Sequence, residues 1–266
     1  MRLGVNVPNF GPGTDPGVLR EWARTVEGLG YDLLMTSDHV TVTPDVAEKY
    51  PEPFYEPFTT LSWLAGVTTR LRLGTTVLVL PYRHPLLVAR MATNLNQLSG
   101  GRFVLGVGVG WARQEYDALG VPFAARGRLT DEYLTTLRNA WPEDAVPIWV
   151  GGNSEAAVRR AIRFGDAWHP LRGTMSWLRS VVANQSLPGF APRIILRLTT
   201  TPVDDPERHP GTGTIEQILD DLDQLRHLGA DTVILDPYHG DPEETRRPAA
   251  AWQALSVVAT HWRTAS

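Results

Sequence analysis

A carboxylate and an imidazole stand side by side at Asp38 and His39, directly after an apolar run that ends at Thr36. Both groups can carry protons near neutral pH, so the pair could act in general acid–base chemistry. The alternative is structural, with Asp38 capping a loop and His39 lying at the surface. The dipeptide by itself does not decide between these interpretations.

Two glycine-rich segments follow other apolar runs. In Gly106-Val107-Gly108-Val109-Gly110-Trp111, glycine alternates with valine, so one face of the strand has no side chains and admits a flat ligand or another backbone. Tight packing between strands is the alternative. The segment Gly151-Gly152-Asn153-Ser154 leads into a predicted helix, whose free N–H groups suit a phosphate. An ordinary Ser or Asn cap is the alternative there.

Several other catalytic classes lack their residues. The chain has no cysteine, which excludes disulfides, thiolate zinc sites and cysteine nucleophiles. It has no His-Glu-x-x-His and no Gly-x-Ser-x-Gly motif, so we predict neither a metal site nor a serine nucleophile. Paired carboxylates for glycoside chemistry could come from Asp38, Glu56, Glu115 or Asp236, but the sequence does not give the distances between them.

Net charge and hydropathy exclude several classes of binding partner. The 25 Lys and Arg residues against 29 Asp and Glu residues give a net charge of −4, which disfavours recognition of nucleic acid or acidic membranes. No apolar run approaches the roughly 20 residues of a membrane helix, and the N-terminal residues do not form a signal peptide. We therefore predict a cytoplasmic protein that acts on a small molecule.

The elements that must position these residues alternate along the chain, because the apolar period switches repeatedly between two and 3.6. The predicted strands are 3–7, 32–36, 71–80, 103–109, 147–150, 167–168, 193–200 and 232–235. The predicted helices are 18–29, 58–67, 85–98, 129–140, 154–164, 175–183, 214–228 and 248–262. Near-continuous apolar strands are typical of a parallel sheet buried on both faces.

This pattern predicts an α/β fold, a (β/α)8 barrel formed by one domain over residues 1–266, with a doubly wound open sheet as the alternative. In such a barrel the active site lies at the carboxyl ends of the strands. The residues directly after each strand are therefore the candidates for function.

Taken together, several motifs resemble those of the luciferase-like monooxygenase family, which comprises flavin-dependent monooxygenases and oxidoreductases that use the deazaflavin coenzyme F420. The motifs are Ser37-Asp38-His39, 73–78, Arg83-His84-Pro85, 98–102, 105–111, 151–154 and 165–170. The resemblance covers essentially the whole chain and is most specific from Leu73 to Trp111. It implies a TIM barrel and a homodimer.

The resemblance also implies a role for each matching residue. Asp38 and His39 match the acid–base pair beside the reactive ring, and Asp38 also contacts the cofactor. Thr76 and Val77 match a bulge with a non-prolyl cis peptide that supports the back of the ring. The further cofactor-binding matches are Val79, Val109, Gly110 and Gln114 for the ring and ribityl chain, and Gly151, Gly152, Asn153, Ser154 and Glu155 for the phosphate.

One position departs from the family. Where deazaflavin-dependent sugar-phosphate dehydrogenases carry a catalytic glutamate, this chain has Trp111. An indole does not deliver a proton in this chemistry but can wall a pocket for a planar or apolar substrate. We therefore expect Trp111 and Tyr82 to line a substrate pocket, and we do not expect a sugar phosphate.

These observations favour an F420-dependent oxidoreductase that passes a hydride between the deazaflavin and a small organic substrate, with reduction of a C=C or C=N bond preferred. The first alternative is a monooxygenase that uses reduced FMN and O2, with a partner reductase supplying the reduced flavin. The second is a barrel that binds flavin without turnover. Because F420 ends in an anionic tail, a cationic groove near Arg113 or Arg172 would favour it over FMN.

Overall fold

The strands form a nearly closed parallel barrel, as the sequence predicts. The computed structural model describes residues 1–141 and 145–265. Within them the strands are β1 Arg2–Asn6, β2 Leu33–Thr36, β3 Arg72–Thr75, β4 Leu78–Val79, β5 Phe103–Gly108, β6 Ile148–Gly151, β7 Ala167–His169, β8 Arg193–Ile195, β9 Arg197–Leu198, β10 Thr212–Gly213 and β11 Thr232–Asp236.

The main sheet runs in the order β7-β6-β5-β3-β2-β1-β11-β8, and β4 pairs with β5. Because β3 and β4 occupy one position, the barrel has eight strand positions. The gap between β7 and β8 is narrowed by parallel bridges from Trp168 to Phe190 and from Leu171 to Arg193. The open doubly wound sheet is thereby excluded.

Helices surround the barrel. They are α1 Pro16–Gly28, α2 Pro44–Ala47, α3 Pro57–Ala65, α4 Pro85–Leu98, α5 Arg113–Ala118, α6 Arg126–Ala140, α7 Glu155–Phe164, α8 Met175–Asn184, α9 Ile215–His227 and α10 Pro248–Ala265, with 3-10 turns at Leu80–Tyr82, Phe123–Ala125 and Pro242–Arg246. Local chemistry sets several starts. Asp15 caps α1, and a capping box of Thr214 and Gln217 begins α9.

The core has three clusters, the smallest of which consists of Val79, Tyr82 and Tyr116. Side chains between the strands and the helices form the largest cluster. A smaller cluster fills the barrel interior with Leu33, Met35, Val104, Trp149, Ala167, Ala191 and Ile234. Both faces of the strands are therefore buried, which explains why their sequences read as continuous apolar runs.

The structure corrects several predicted boundaries. The strand expected over 71–80 is interrupted after Thr75 and resumes at Leu78, and the Thr76–Val77 peptide bond between the two parts is cis. The strand expected over 193–200 leaves the barrel after Ile195, and residues 197–198 pair with β10 instead. The short helices α2 and α5 lie in segments that the sequence predicts as loops. Among the described residues, no helix is long and apolar enough to span a membrane.

Candidate functional site

The central feature of the barrel mouth is a buried pair between His39 and Glu115. His39 lies in the loop after β2, and its Nδ1 is 2.7 Å from Oε2 of Glu115 on α5. The other carboxylate oxygen accepts the backbone N–H groups of Val40 and Thr41. The side chains are 7% and 0% exposed. Glu115 therefore ties α5 to the loop that carries His39.

This pairing decides which ring nitrogen is available. An ionised carboxylate only accepts hydrogen bonds, so Nδ1 of His39 carries a proton that it donates to Glu115. Nε2 has no partner among the residues that the structure describes and is left to bind or exchange a proton. Burial raises the pKa of Glu115, but the hydrogen bond from His39 and its charge outweigh burial and hold the pKa below its usual value.

Aromatic rings enclose His39. Tyr50 stacks on the imidazole at a centroid distance of 5.5 Å, and the rings of Phe54 and Trp111 meet it edge-on at 5.3 and 5.8 Å. Trp111 is 49% exposed, so its indole forms part of the outer wall of the mouth. The surroundings of the imidazole suit a flat, apolar ligand.

Asp38 lies beside His39 in sequence but has different partners. Arg83 donates two hydrogen bonds of 2.8 Å to its two carboxylate oxygens, and the N–H of Val79 donates a third of 2.8 Å. Arg83 also contacts Glu56. Burial raises the pKa of Asp38, while the guanidinium charge opposes the rise. The carboxylate thus holds the end of β4 and Arg83 in place. His39 pairs with Glu115 and not with Asp38.

The bulge at Val77 fills the glycine-rich face of β5 and β6. A Cβ placed on Gly108 or Gly151 would come within 2.5 or 2.7 Å of a Val77 methyl group, and one on Gly106 would meet the carbonyl oxygen of Thr75 at 2.0 Å. Of the two interpretations of these glycines, close packing is the one observed. Val77 itself stays half-buried.

A polar network inside the barrel holds this bulge from below. Arg193 donates to the carbonyl oxygen of Thr76 at 2.9 Å and to Asp236 at 2.8 Å. Asp236 also binds Arg172 at 2.7 Å and Asn6 at 3.0 Å. Burial raises the pKa of Asp236, but the two guanidinium charges outweigh burial and keep it below its usual value.

His169 joins this network from β7. Its two ring nitrogens lie 2.8 Å from Oγ1 of Thr76 and 2.5 Å from the carbonyl oxygen of Ala191. Burial lowers the pKa of His169 to about 4, so the ring is neutral at physiological pH. It therefore positions Thr76 without adding charge.

The turn after β6 leads directly into α7. Ser154 caps the helix by accepting the N–H of Ala157 at 3.2 Å, and the Asn153 side chain bridges to the backbone of Leu171. Glu155 is exposed and directed to Arg159. Ser154 thus satisfies one of the N–H groups that begin α7.

The remaining predicted residues have the following places. Val79 is buried, and the carbonyl oxygen of Val109 accepts the hydroxyl of Tyr116 at 2.6 Å. Gly110 has φ +66° and lies against Val79. Gln114 is exposed on α5. Tyr82 is 8% exposed and packs on Tyr116 at 4.8 Å, among the side chains beneath α5.

The two arginines expected near the anionic tail of F420 have different partners. Arg172 forms an ion pair with Asp236, a carboxylate that it shares with Arg193. Arg113 is exposed and stacks over the ring of Phe123 at 4.3 Å. Among the described residues, no group of three or more His, Asp or Glu side chains is arranged to hold a metal ion.

Sequence reasoning missed three residues that build this site: Glu115 as the partner of His39, Arg83 as the partner of Asp38, and Arg193 beneath Thr76. Glu115 and Asp236 were noted only as carboxylates for glycoside chemistry, and they do not pair with each other or with Asp38. The only local signal for Glu115 was its position in the segment after Trp111. No spacing rule links residues 76 positions apart.

Comparisons with known proteins agree with this architecture. A family model described as luciferase-like monooxygenase matches residues 1–183. An uncharacterized protein of Mycobacterium tuberculosis is 34% identical over 180 residues, which cover 55% of this chain and 62% of that protein. Pyrimidine monooxygenase RutA of Rhizobium rhizogenes is 34% identical over 146 residues, or 52% of this chain and 39% of that enzyme. The chain thus spans less than two thirds of the length of either relative.

Solved structures share the fold. An F420-dependent secondary alcohol dehydrogenase in complex with an F420-acetone adduct superposes with a TM-score of 0.73 at 16% identity, covering 97% of this chain and 98% of that one. The oxygenating constituent of 3,6-diketocamphane monooxygenase from Pseudomonas putida, in complex with FMN, also gives 0.73 at 16% identity and covers 97% of each chain.

Proposed function

The chain belongs to the luciferase-like monooxygenase family, and on that basis we propose that it is an F420-dependent oxidoreductase. In this proposal it transfers a hydride between the deazaflavin and a small organic substrate, preferably to reduce a C=C or C=N bond. His39 exchanges the accompanying proton. The His39–Glu115 pair at 2.7 Å is the observation that carries the proposal.

The residues present fit a ring with a phosphate-bearing chain. Val77 offers a half-buried apolar surface, and Gly151 packs directly against it. The turn from Gly152 to Glu155 then ends in helix N–H groups that can bind a phosphate.

When bound, the deazaflavin supplies the hydride. The protein supplies the proton and the surroundings. As an imidazolium, His39 can donate from Nε2 while its Nδ1 proton stays hydrogen-bonded to Glu115, so the ring ends neutral in the same orientation. Glu115 is a positioning residue, because it touches the imidazole and not the ligand. Trp111, Phe54 and Tyr50 exclude water from this side.

An FMN-dependent monooxygenase with a partner reductase is the second candidate. The observation that favours it is the ion pair between Arg172 and Asp236. Asp236 offsets part of this charge, although Arg193 shares the carboxylate, so Arg172 offers less attraction to an anionic oligoglutamate tail than an unpaired arginine would. FMN, which ends at its phosphate, needs no such cation. The relatives that carry a monooxygenase name support the same candidate.

Titration of the purified protein with F420 and, separately, with FMN tests the proposal. Fluorescence quenching and the thermal shift report binding, since a ligand specific for the folded state raises the melting temperature once its concentration exceeds Kd. Binding of F420 alone supports the proposal. Binding of FMN alone favours the monooxygenase, and binding of neither contradicts both.

Turnover with candidate acceptors then separates an enzyme from a binding protein. We expect His39→Ala to lose about 10²–10⁴-fold in turnover while F420 affinity is retained. His227→Ala, which removes an exposed histidine on α9, is the matched control and keeps full turnover. If wild type and His39→Ala bind the cofactor equally and neither turns over with any acceptor, a non-catalytic barrel is the better account.

A further inference from the structure

A cavity of about 750 Å³ lies beside the barrel mouth, where β8 and β11 end. Its walls come from the segment after β8, the start of α9, the loop after β11 and one face of α10. Cavities of about 300–1,000 Å³ are typical of small-molecule sites. This volume is large enough for a ligand of its own.

The cavity is separate from the candidate site around His39. None of the residues assigned above to proton transfer, ring support or phosphate binding lines it. Tyr238 forms the partition, because its ring lines the cavity on one side and packs against Phe10 and Tyr50 on the other, at 4.9 and 6.0 Å. Tyr50 in turn stacks on His39.

Small and apolar side chains leave the space open. On α10 the lining positions include Ala250, Ala251 and Ala254, which have short side chains. Leu196 from the segment after β8 and Trp22 from α1 contribute apolar surface. Such a lining favours an apolar ligand body, since it removes hydrocarbon from water.

The charges at the cavity favour an anion. Arg197 and Arg247 line it, are exposed, and have no side-chain hydrogen bond or ion pair to any described residue. Glu244 is occupied by His239 at 2.9 Å. Glu216 remains as an exposed carboxylate in the first turn of α9. The cavity is thus lined by two guanidiniums that have no side-chain partner among the described residues and by the carboxylate of Glu216, which Thr214 hydrogen-bonds.

We infer that this cavity binds a small organic anion with an apolar body, of the class of aryl or alkyl carboxylates and sulfonates. The body lies against Leu196, Trp22 and the alanine face of α10. The anionic head meets Arg197 and Arg247 at the rim. The site can be filled while the cofactor site is empty, because the Tyr238 partition separates the two.

Two dyes that differ in charge test this inference on the full chain. The anion 8-anilinonaphthalene-1-sulfonate and its uncharged analogue N-phenyl-1-naphthylamine share the same apolar body, and both fluoresce when that body is shielded from water. We expect the anion to bind one site more tightly than the neutral dye. Excess FMN or F420 should not displace it.

Single substitutions test where the dyes bind and which charged residues contact the anion. Arg197→Gln and Arg247→Gln each weaken binding of the anion by about three- to tenfold and leave the neutral dye unchanged, whereas Glu216→Gln strengthens binding of the anion. Ala254→Phe fills the cavity and weakens both dyes. The glutamine variants change exposed side chains, so they keep the inference testable if Ala254→Phe does not fold, which near-ultraviolet circular dichroism reports.

Two results would overturn the inference. The first is competition by FMN or F420, which would assign the dye to the barrel mouth. The second is equal affinity of the anion for wild type and all three glutamine variants, which would mean that these charges do not face the ligand.

Discussion

Replacing Glu115 with Gln should reverse the tautomer of His39. The carboxylate accepts from Nδ1 of His39 and from the N–H groups of Val40 and Thr41. Glutamine has one acceptor oxygen and one donor NH2 group. If its oxygen keeps the two backbone donors, its NH2 group faces Nδ1. The neutral imidazole must then accept there and carry its proton on Nε2.

The magnitude follows from the bonds that are lost. A hydrogen bond to an ionised group contributes about 1.5–3 kcal/mol, so Glu115→Gln should lower the free energy of unfolding by about that amount. Glu115→Ala leaves a buried imidazole without its partner and should cost about 3–5 kcal/mol. Urea unfolding measures both values. Asp117→Asn, an exposed change on the same helix, is the control and should leave stability unaltered.

Nitrogen-15 spectra of the histidine side chains read the tautomer without any substrate. The chain has seven histidines, and His39→Gln identifies the signals of His39. We expect a protonated Nδ1 in the wild type and a protonated Nε2 in Glu115→Gln. A protonated Nδ1 in the neutral ring of both proteins would refute the reasoning, because Glu115 would not then orient the ring.

The same substitution affects catalysis if the proposed function is right. In Glu115→Gln, Nδ1 of His39 accepts a hydrogen bond from the glutamine NH2 group. Loss of the Nε2 proton from this neutral ring would leave an imidazolate, so turnover should fall by about 10²-fold or more while cofactor affinity changes little. Because His39 and Glu115 act as one unit, the double variant His39→Ala/Glu115→Gln should be no slower than His39→Ala. A further loss in the double variant would assign Glu115 a role of its own.

Three other predictions follow from the same geometry. Asp38→Asn should lower the free energy of unfolding by about 3–5 kcal/mol in urea, because it breaks a buried ion pair, and a loss below 1 kcal/mol would contradict this role. The pKa of Asp236 is lower in the folded than in the unfolded chain. The stability that this carboxylate contributes is therefore present above its ordinary pKa and is lost as the pH falls below about 4. Asp236→Asn should flatten the dependence of the free energy of unfolding on pH in that range. Gly108→Ala should displace Val77, cost about 1–3 kcal/mol in thermal unfolding and weaken cofactor binding, whereas Gly28→Ala, with nothing within 4 Å, should not.

The fold could be predicted because its signals are local. Each strand of the barrel is buried on both faces and each helix on one, so the apolar period along 5 to 15 residues reveals the type of element. The order of elements then leaves few arrangements, since parallel strands need crossover connections. The predicted ends of elements were wrong where contacts with distant parts of the chain set them. The break in the strand expected over 71–80 accommodates Val77 against glycines of β5 and β6.

Only part of the candidate site could be predicted from the sequence. Its location at the carboxyl ends of the strands followed from the fold, and the cis bond at Thr76–Val77 followed from the resemblance. The residues that pair with Asp38 and His39 could not be predicted from the sequence. Asp38 and His39 are neighbours in sequence, yet one pairs with Arg83 and the other with Glu115.

The sequence alone therefore determined the kind of elements, the barrel and the end at which polar residues gather, because these depend on short-range periodicity and chain order. Only the tertiary structure decided which charge meets which. Closing the barrel brings Glu115 beside His39 and Arg193 beneath Thr76, across 76 and 117 residues. Burial gives these pairings their importance for stability, because a buried charge without a partner destabilises the fold. A buried charge with a partner is held in one orientation.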